Sequence, residues 1–128
     1  MEVVVTVVIS VVVAVLFAGI GAYALVSPGA IVRPFGIAVD DVRARYEVRA
    51  VCGGFGLAMA VVLVAAAADV GSLRAGIMVA VGAALAGMAF GRVVAAVIDE
   101  RTAFYPVWFF AIVEAVAAGA LLAGAAIR

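Results

Sequence analysis

Four long stretches of the chain carry almost no charged residue, and this pattern constrains the fold more than any other feature of the sequence. A helix of about twenty residues is long enough to cross the hydrocarbon core of a bilayer. The four stretches reach that length and cover residues 3–26, 46–68, 73–98 and 104–127. The sequence therefore predicts an all-α integral membrane protein, a bundle of four transmembrane helices.

The overall composition excludes several classes of protein. The chain is 70% apolar and 12% charged, with a mean hydropathy of +1.42, whereas a soluble domain is about 45 to 50% apolar. Eight acidic residues balance eight arginines, which leaves no basic surface for the phosphates of a nucleic acid. With no histidine and Cys52 as the single cysteine, the ligand sets of zinc, haem and iron–sulfur sites cannot be assembled, so we expect no metal and no cofactor.

Helix-ending and helix-capping residues separate the four stretches. Ser27-Pro28-Gly29 ends the first, Asp40 or Asp41 can cap a charged first turn of the second, and Gly71 and Ser72 can end the second and cap the third. Pro106 suits the first turn of the fourth. Loops of 19, 4 and 5 residues between the stretches predict one domain over residues 1–128 with up-down topology, because short connections make consecutive helices neighbours.

The arginines outside the four stretches predict an orientation. Four arginines lie at the end of the bundle that holds the first and third loops: Arg33, Arg43, Arg45 and Arg101. Two lie at the opposite end, Arg74 and Arg128. Cytoplasmic loops carry the excess of positive charge, so we expect both termini outside the cell. The composition, rich in Ala and Val and without Lys, is typical of a bacterial source, and we expect the protein in the cytoplasmic membrane.

Small residues at every fourth position predict where the helices pack against each other. The two sets are Ala50, Gly54 and Ala58 in the second stretch, and Ala83, Gly87 and Gly91 in the third. Such spacing allows close approach of helices in lipid, either within the bundle or in a homo-oligomer. An aromatic group at the start of the fourth stretch is typical of the membrane interface; it consists of Phe104, Tyr105, Trp108, Phe109 and Phe110.

Ionisable residues in three of the four stretches, or directly after one of them, fall in one half of the predicted bundle. They are Glu47, Arg49, Arg92, Asp99 and Glu114. Because a charge facing lipid costs about 2.5 to 3.5 kcal/mol at a helix centre, we expect these groups to face inward and to pair. They form either a network that only fixes helix packing or a functional site, with Tyr23, Arg45, Tyr105 and Trp108 near enough to contact a substrate. We interpret Cys52 as a core residue.

The same residues carry a resemblance to a known family. The positions are Glu47, Arg49, Gly53, Gly54, Gly91, Arg92, Asp99 and Glu114. Over roughly residues 34–118 the chain resembles a family of small four-helix bacterial membrane proteins known as a domain of unknown function. That family often has Tyr before the Gly-Gly pair and Gly after the Asp, where this chain has Cys52 and Glu100. The resemblance implies the architecture and the site positions, and it implies no reaction.

Three functions fit these features. The first is a membrane enzyme that performs cofactor-free acid/base chemistry on an apolar small molecule, such as epoxide hydrolysis or cyclisation, or isomerisation. Glu114 with Glu47 or Asp99 would be its acid/base pair, and Arg92 and Arg49 would be electrostatic partners. The second is an accessory subunit of a membrane complex. The third is binding or transport of lipophilic compounds. A transport path normally needs polar groups through the full thickness of the bilayer, whereas here the polar residues lie in only one half of it.

Overall fold

Four long helices carry most of the chain in the computed structural model, which describes residues 2–127. They are α1 (Glu2–Val26), α3 (Val42–Ala67), α4 (Arg74–Ile98) and α5 (Val107–Ala125), and each is long and apolar enough to cross a membrane. The short helix α2 (Pro28–Val32) and a 3-10 turn at Arg33–Phe35 lie in the first connection. No strand occurs within the described residues. The chain is an all-α, four-helix membrane protein, as the sequence predicts.

The outer surface of the helices is apolar on all sides. Large aliphatic and aromatic side chains such as Val61, Phe90 and Val116 are more than half exposed. An exposed apolar surface this extensive would promote aggregation in water, whereas hydrocarbon chains can cover it. The exposed residues therefore support the membrane assignment independently of helix length.

The helices pack as two close pairs. α1 contacts α3 most extensively, α4 contacts α5 most extensively, and the contacts between the two pairs are fewer. The buried core lies mainly in the half of the bundle that holds the termini, where Leu63, Met78 and Leu121 are fully buried. In the other half, the two pairs leave space between them.

The charged first turn of α3 forms as predicted. The helix begins at Val42, and the Asp41 side chain caps it by accepting a hydrogen bond of 2.8 Å from the Arg43 backbone N–H. The same carboxylate pairs with the Arg43 guanidinium at 2.9 Å. This hydrogen bonding to Arg43, first from the side chain and then from the backbone, lowers the pKa of Asp41.

The predicted cap of α4 is wrong. Ser72 has a left-handed backbone (φ +57°), whereas an N-cap residue is typically extended. α4 starts at Arg74, and the carboxylate of Asp69 accepts the hydrogen bond of the Arg74 N–H at 3.1 Å. At the other end of the bundle α5 begins at Val107, directly after Pro106, so it is shorter than the predicted stretch.

The small-residue pattern did not identify the contact faces within the bundle, and the homo-oligomer that it could also indicate stays a prediction. Ala50, Gly54 and Ala58 are exposed, and a Cβ at Gly87 or Gly91 would meet nothing within 4 Å. The close approach of α1 and α3 instead occurs where Gly21 faces Gly53 and Gly56. A spacing of four residues recurs on several faces of helices this rich in Ala and Gly, so it did not identify the buried face.

Candidate functional site

A bidentate ion pair joins α4 to α5 in the half of the bundle that faces the first connection. Arg92 Nε donates to Glu114 Oε1 at 2.8 Å, and Arg92 Nη2 donates to Glu114 Oε2 at 3.1 Å. The Glu114 side chain is 7% exposed and that of Arg92 is 22% exposed. Two parallel hydrogen bonds between charged groups fix both distance and orientation. The sequence prediction that these two groups face inward and pair is confirmed.

The first connection covers this ion pair with an aromatic ring. The Arg92 guanidinium carbon lies 5.6 Å from the centre of the Phe35 ring, which is a cation–π distance. Phe35 also packs against Phe110, with 5.5 Å between ring centres. Phe35 could not be identified from the sequence, because a single aromatic residue in a long loop gives no periodic signal.

A cavity of about 640 Å³ lies between the two helix pairs, beside Glu114. All four long helices contribute to its walls, which consist of Val13, Leu16, Phe17, Ile20, Ala50, Val51, Cys52, Phe55, Gly56, Leu85, Met88, Phe110, Val113, Glu114 and Ala117. Glu114 is the one charged residue among them. Glu114 therefore both lines the apolar cavity and pairs with the Arg92 guanidinium.

A π-helical segment at Arg49–Gly54 shapes one wall of this cavity. The Phe55 N–H reaches back five residues to the Ala50 carbonyl, so this turn is wider than an α-helical turn. Its residues Ala50, Val51 and Cys52 line the cavity. Segments of this kind are frequent at functional sites, and the Gly53-Gly54 pair was the signal that could have indicated one. Cys52, interpreted from sequence as a core residue, is part-buried on the cavity wall.

The other predicted charged residues do not join the ion pair. Arg49 Nε donates to the Leu25 carbonyl at 2.9 Å, near the end of α1. The side chains of Glu47 and Asp99 are exposed and make no hydrogen bond or ion pair within residues 2–127. Over the same residues no three acidic or cysteine side chains come close enough to hold a metal ion. The structure thus brings together two of the five predicted acid/base and electrostatic residues, and the catalytic roles stay predictions.

The four predicted substrate contacts lie outside the cavity wall. Arg45 donates to the carbonyls of Val39 and Asp40 at 3.0 and 3.1 Å. Tyr23 and Tyr105 are exposed, and Trp108 is part-buried. The positions of these residues along the chain correctly indicated the end of the bundle where they lie, but they could not show which way each side chain points about the helix axis.

The aromatic group at the start of α5 divides into two parts. Phe104, Tyr105 and Phe109 are exposed, as expected of residues at a membrane interface. Phe110 instead lines the cavity and contacts Phe35. The interface prediction did not anticipate this contact of Phe110, whose ring turns into the bundle.

Comparison with known proteins identifies the family. The family described as "Domain of unknown function (DUF4345)" matches residues 5–125. The chain belongs to this family, in agreement with the resemblance seen in its motif residues. No curated protein and no solved structure matches the chain.

Proposed function

We propose that the protein binds an apolar small molecule in the cavity between its two helix pairs, with the polar group of that molecule against Glu114. The single observation that carries the proposal is the cavity of about 640 Å³, whose walls are apolar except for one buried carboxylate. Ligand sites are commonly apolar concavities of this size with a few fixed polar groups. Space between four lipid-covered helices is accessible to compounds that partition into the membrane.

The Arg92–Glu114 pair supports binding because it fixes a charge beside the cavity. A charge within a membrane span is costly, and such residues are commonly functional. A purely structural ion pair would serve equally well in a closely packed core. Here Glu114 instead lines a cavity that is large enough for a ligand.

Analysis of the compounds that copurify with the protein tests this proposal. Ala50 is exposed and lines the cavity, so Ala50→Phe fills part of it; Ala58→Phe adds the same ring at an exposed position of α3 that does not line the cavity. We expect mass spectrometry of detergent-purified protein to find a specific apolar compound with the wild type and with Ala58→Phe, and to find it lost with Ala50→Phe. The same bulk lipids in all three samples would contradict the proposal.

Turnover of the bound molecule is a second candidate function. It is favoured by the position of Glu114, whose carboxylate can take a proton from a ligand in the cavity and return it, as double-bond isomerisation requires. Epoxide opening needs a second acid or base, and Glu47 and Asp99 lie outside the cavity wall. Incubation of the copurified compound with wild type and Glu114→Gln tests this candidate: a product formed by the wild type alone supports it, and equal turnover by both contradicts it.

A further inference from the structure

The hydrogen bonds of Glu114 limit the polar group that the cavity can accept. Each carboxylate oxygen has two lone pairs. The Arg92 guanidinium uses one on each oxygen, at 2.8 and 3.1 Å. One acceptor position therefore remains on each oxygen, and a carboxylate paired with a guanidinium has no hydrogen to donate.

The charge of the site limits the ligand further. Arg92 and Glu114 together are neutral, so an ammonium group or a second carboxylate would bring an unbalanced charge into an apolar cavity. An ether, ketone or epoxide oxygen needs a donor, which the Glu114 carboxylate cannot supply. A neutral group that donates a hydrogen bond fits both conditions.

The walls of the cavity define the rest of the ligand. Apart from Glu114, the residues that line the cavity are apolar, with Phe17 from α1 and Phe55 from α3 among them. Cys52 adds a thiol, which is a weak hydrogen-bonding group. A ligand with one polar end and an otherwise hydrocarbon body satisfies this lining, because a second polar group would remain without a partner.

We propose that the cavity binds a neutral lipophilic alcohol, with its hydroxyl group donating a hydrogen bond to a free lone pair of the Glu114 carboxylate. This inference rests on the proposed function, since it names the class of molecule that the same cavity accepts. It predicts discrimination between two ligands that have the same hydrocarbon body and differ in whether their oxygen carries a hydrogen.

Competition between hexadecanol and its methyl ether measures this discrimination. Delipidated full-length protein in detergent receives both compounds in equal amounts, and native mass spectrometry counts the two complexes. A hydrogen bond to a charged acceptor gives a preference on the order of tenfold or more for the alcohol. We expect this preference in the wild type and in Arg92→Lys, which keeps a cation beside the carboxylate.

Variants of Glu114 show whether the carboxylate causes the preference. Glu114→Leu removes the acceptor, so we expect the ratio of alcohol to ether to fall close to one while both compounds still bind. If this variant does not fold, Glu114→Gln replaces it: the amide can donate to the ether as well as accept from the alcohol, so the ratio also falls. An equal ratio in wild type and Glu114 variants would overturn the inference.

The cavity variants separate this inference from the proposed function. If Ala50→Phe loses both compounds and Ala58→Phe keeps them, the cavity binds ligands whatever the ratio. In that case a ratio of alcohol to ether close to one in the wild type contradicts only the inference that the ligand is an alcohol. If neither compound binds the wild type more than it binds Ala50→Phe, both the proposed function and the inference fail.

Discussion

Gly21 of α1 and Gly56 of α3 bring the two helices into backbone contact: a Cβ at Gly56 would lie 3.1 Å from the Gly21 Cα. A Cβ at Gly21 would lie 2.9 Å from both the Gly53 carbonyl oxygen and the Leu57 nitrogen. These are backbone atoms, so they cannot rotate away as a flexible side chain could. Phe55 and Gly56 also line the cavity, so the position of this part of the wall depends on the contact.

Gly21→Ala should destabilise the protein by about 1–3 kcal/mol, the usual cost of forcing extra volume into a well-packed contact. Thermal unfolding in detergent measures the change. Gly19→Ala is the matched control, because a Cβ at Gly19 meets nothing within 4 Å. Alanine favours a helix over glycine, so the control should leave the unfolding temperature unchanged or raise it. Equal losses in the two variants would contradict the contact.

Arg92→Met should destabilise the protein by up to about 3–5 kcal/mol, because it leaves a buried carboxylate without its partner. The double variant Arg92→Met with Glu114→Leu should recover most of this loss, since it also removes the unpaired group. Both free energies of unfolding come from denaturant titration in mixed micelles. Arg43→Met serves as a control: it breaks the exposed pair with Asp41 and should change the free energy of unfolding far less, because water screens an exposed ion pair.

A double variant no more stable than Arg92→Met would contradict this reading of the ion pair. It would mean that the cost comes from lost packing of the Arg92 stem rather than from an unpaired charge. The comparison therefore tests the electrostatic role directly.

Phe35→Ala should loosen the first connection from the helix bundle. The ring contacts both the Arg92 guanidinium and Phe110, and a cation–π contact of this kind contributes about 0.5–2 kcal/mol. Hydrogen exchange of the Gly36 and Ile37 amides, which bond to carbonyls of the same segment, should become faster. Phe104→Ala removes an exposed ring and should leave these rates unchanged; the same acceleration in both variants would contradict a specific role for Phe35.

The architecture could be predicted from the sequence because the length of a span and the depth of a charge in the bilayer depend only on position along the chain. The four spans, a capped and charged first turn of α3 and the inward position of Arg92 and Glu114 follow from position along the chain. Which face of each helix points inward is a property of rotation, and uniformly apolar helices carry little information about it. For that reason the small-residue spacing did not identify the contact faces within the bundle, and the cavity was not foreseen.

The exposure of Glu47 and Asp99 has a different origin. They lie in the same half of the bundle as Glu114, but each lies near a helix end where water or lipid headgroups can solvate it. Pairing within the bundle is needed only for groups that lie deeper, and Glu114 is such a group. Assigning all of these charges to one half of the bundle thus overestimated the number of charges in the site.

The cap of α3 should respond to acid through Asp41. Its pKa is lowered in the folded protein by hydrogen bonds from Arg43, so the ionised form stabilises the folded helix start. This contribution is present above the pKa of the unfolded state, about 4, and is lost as the pH falls through the lower folded value.

An NMR titration of the Arg43 amide, which donates to Asp41 at 2.8 Å, should show a midpoint below the ordinary pKa of an aspartate. Asp41→Asn keeps a capping oxygen without a charge, so the helix start should persist and the titration should disappear. Asp40→Asn, which changes the neighbouring carboxylate, should leave the midpoint unchanged to within a few tenths of a unit. Loss of the titration in that variant would show that the response belongs to Asp40, and would contradict the prediction.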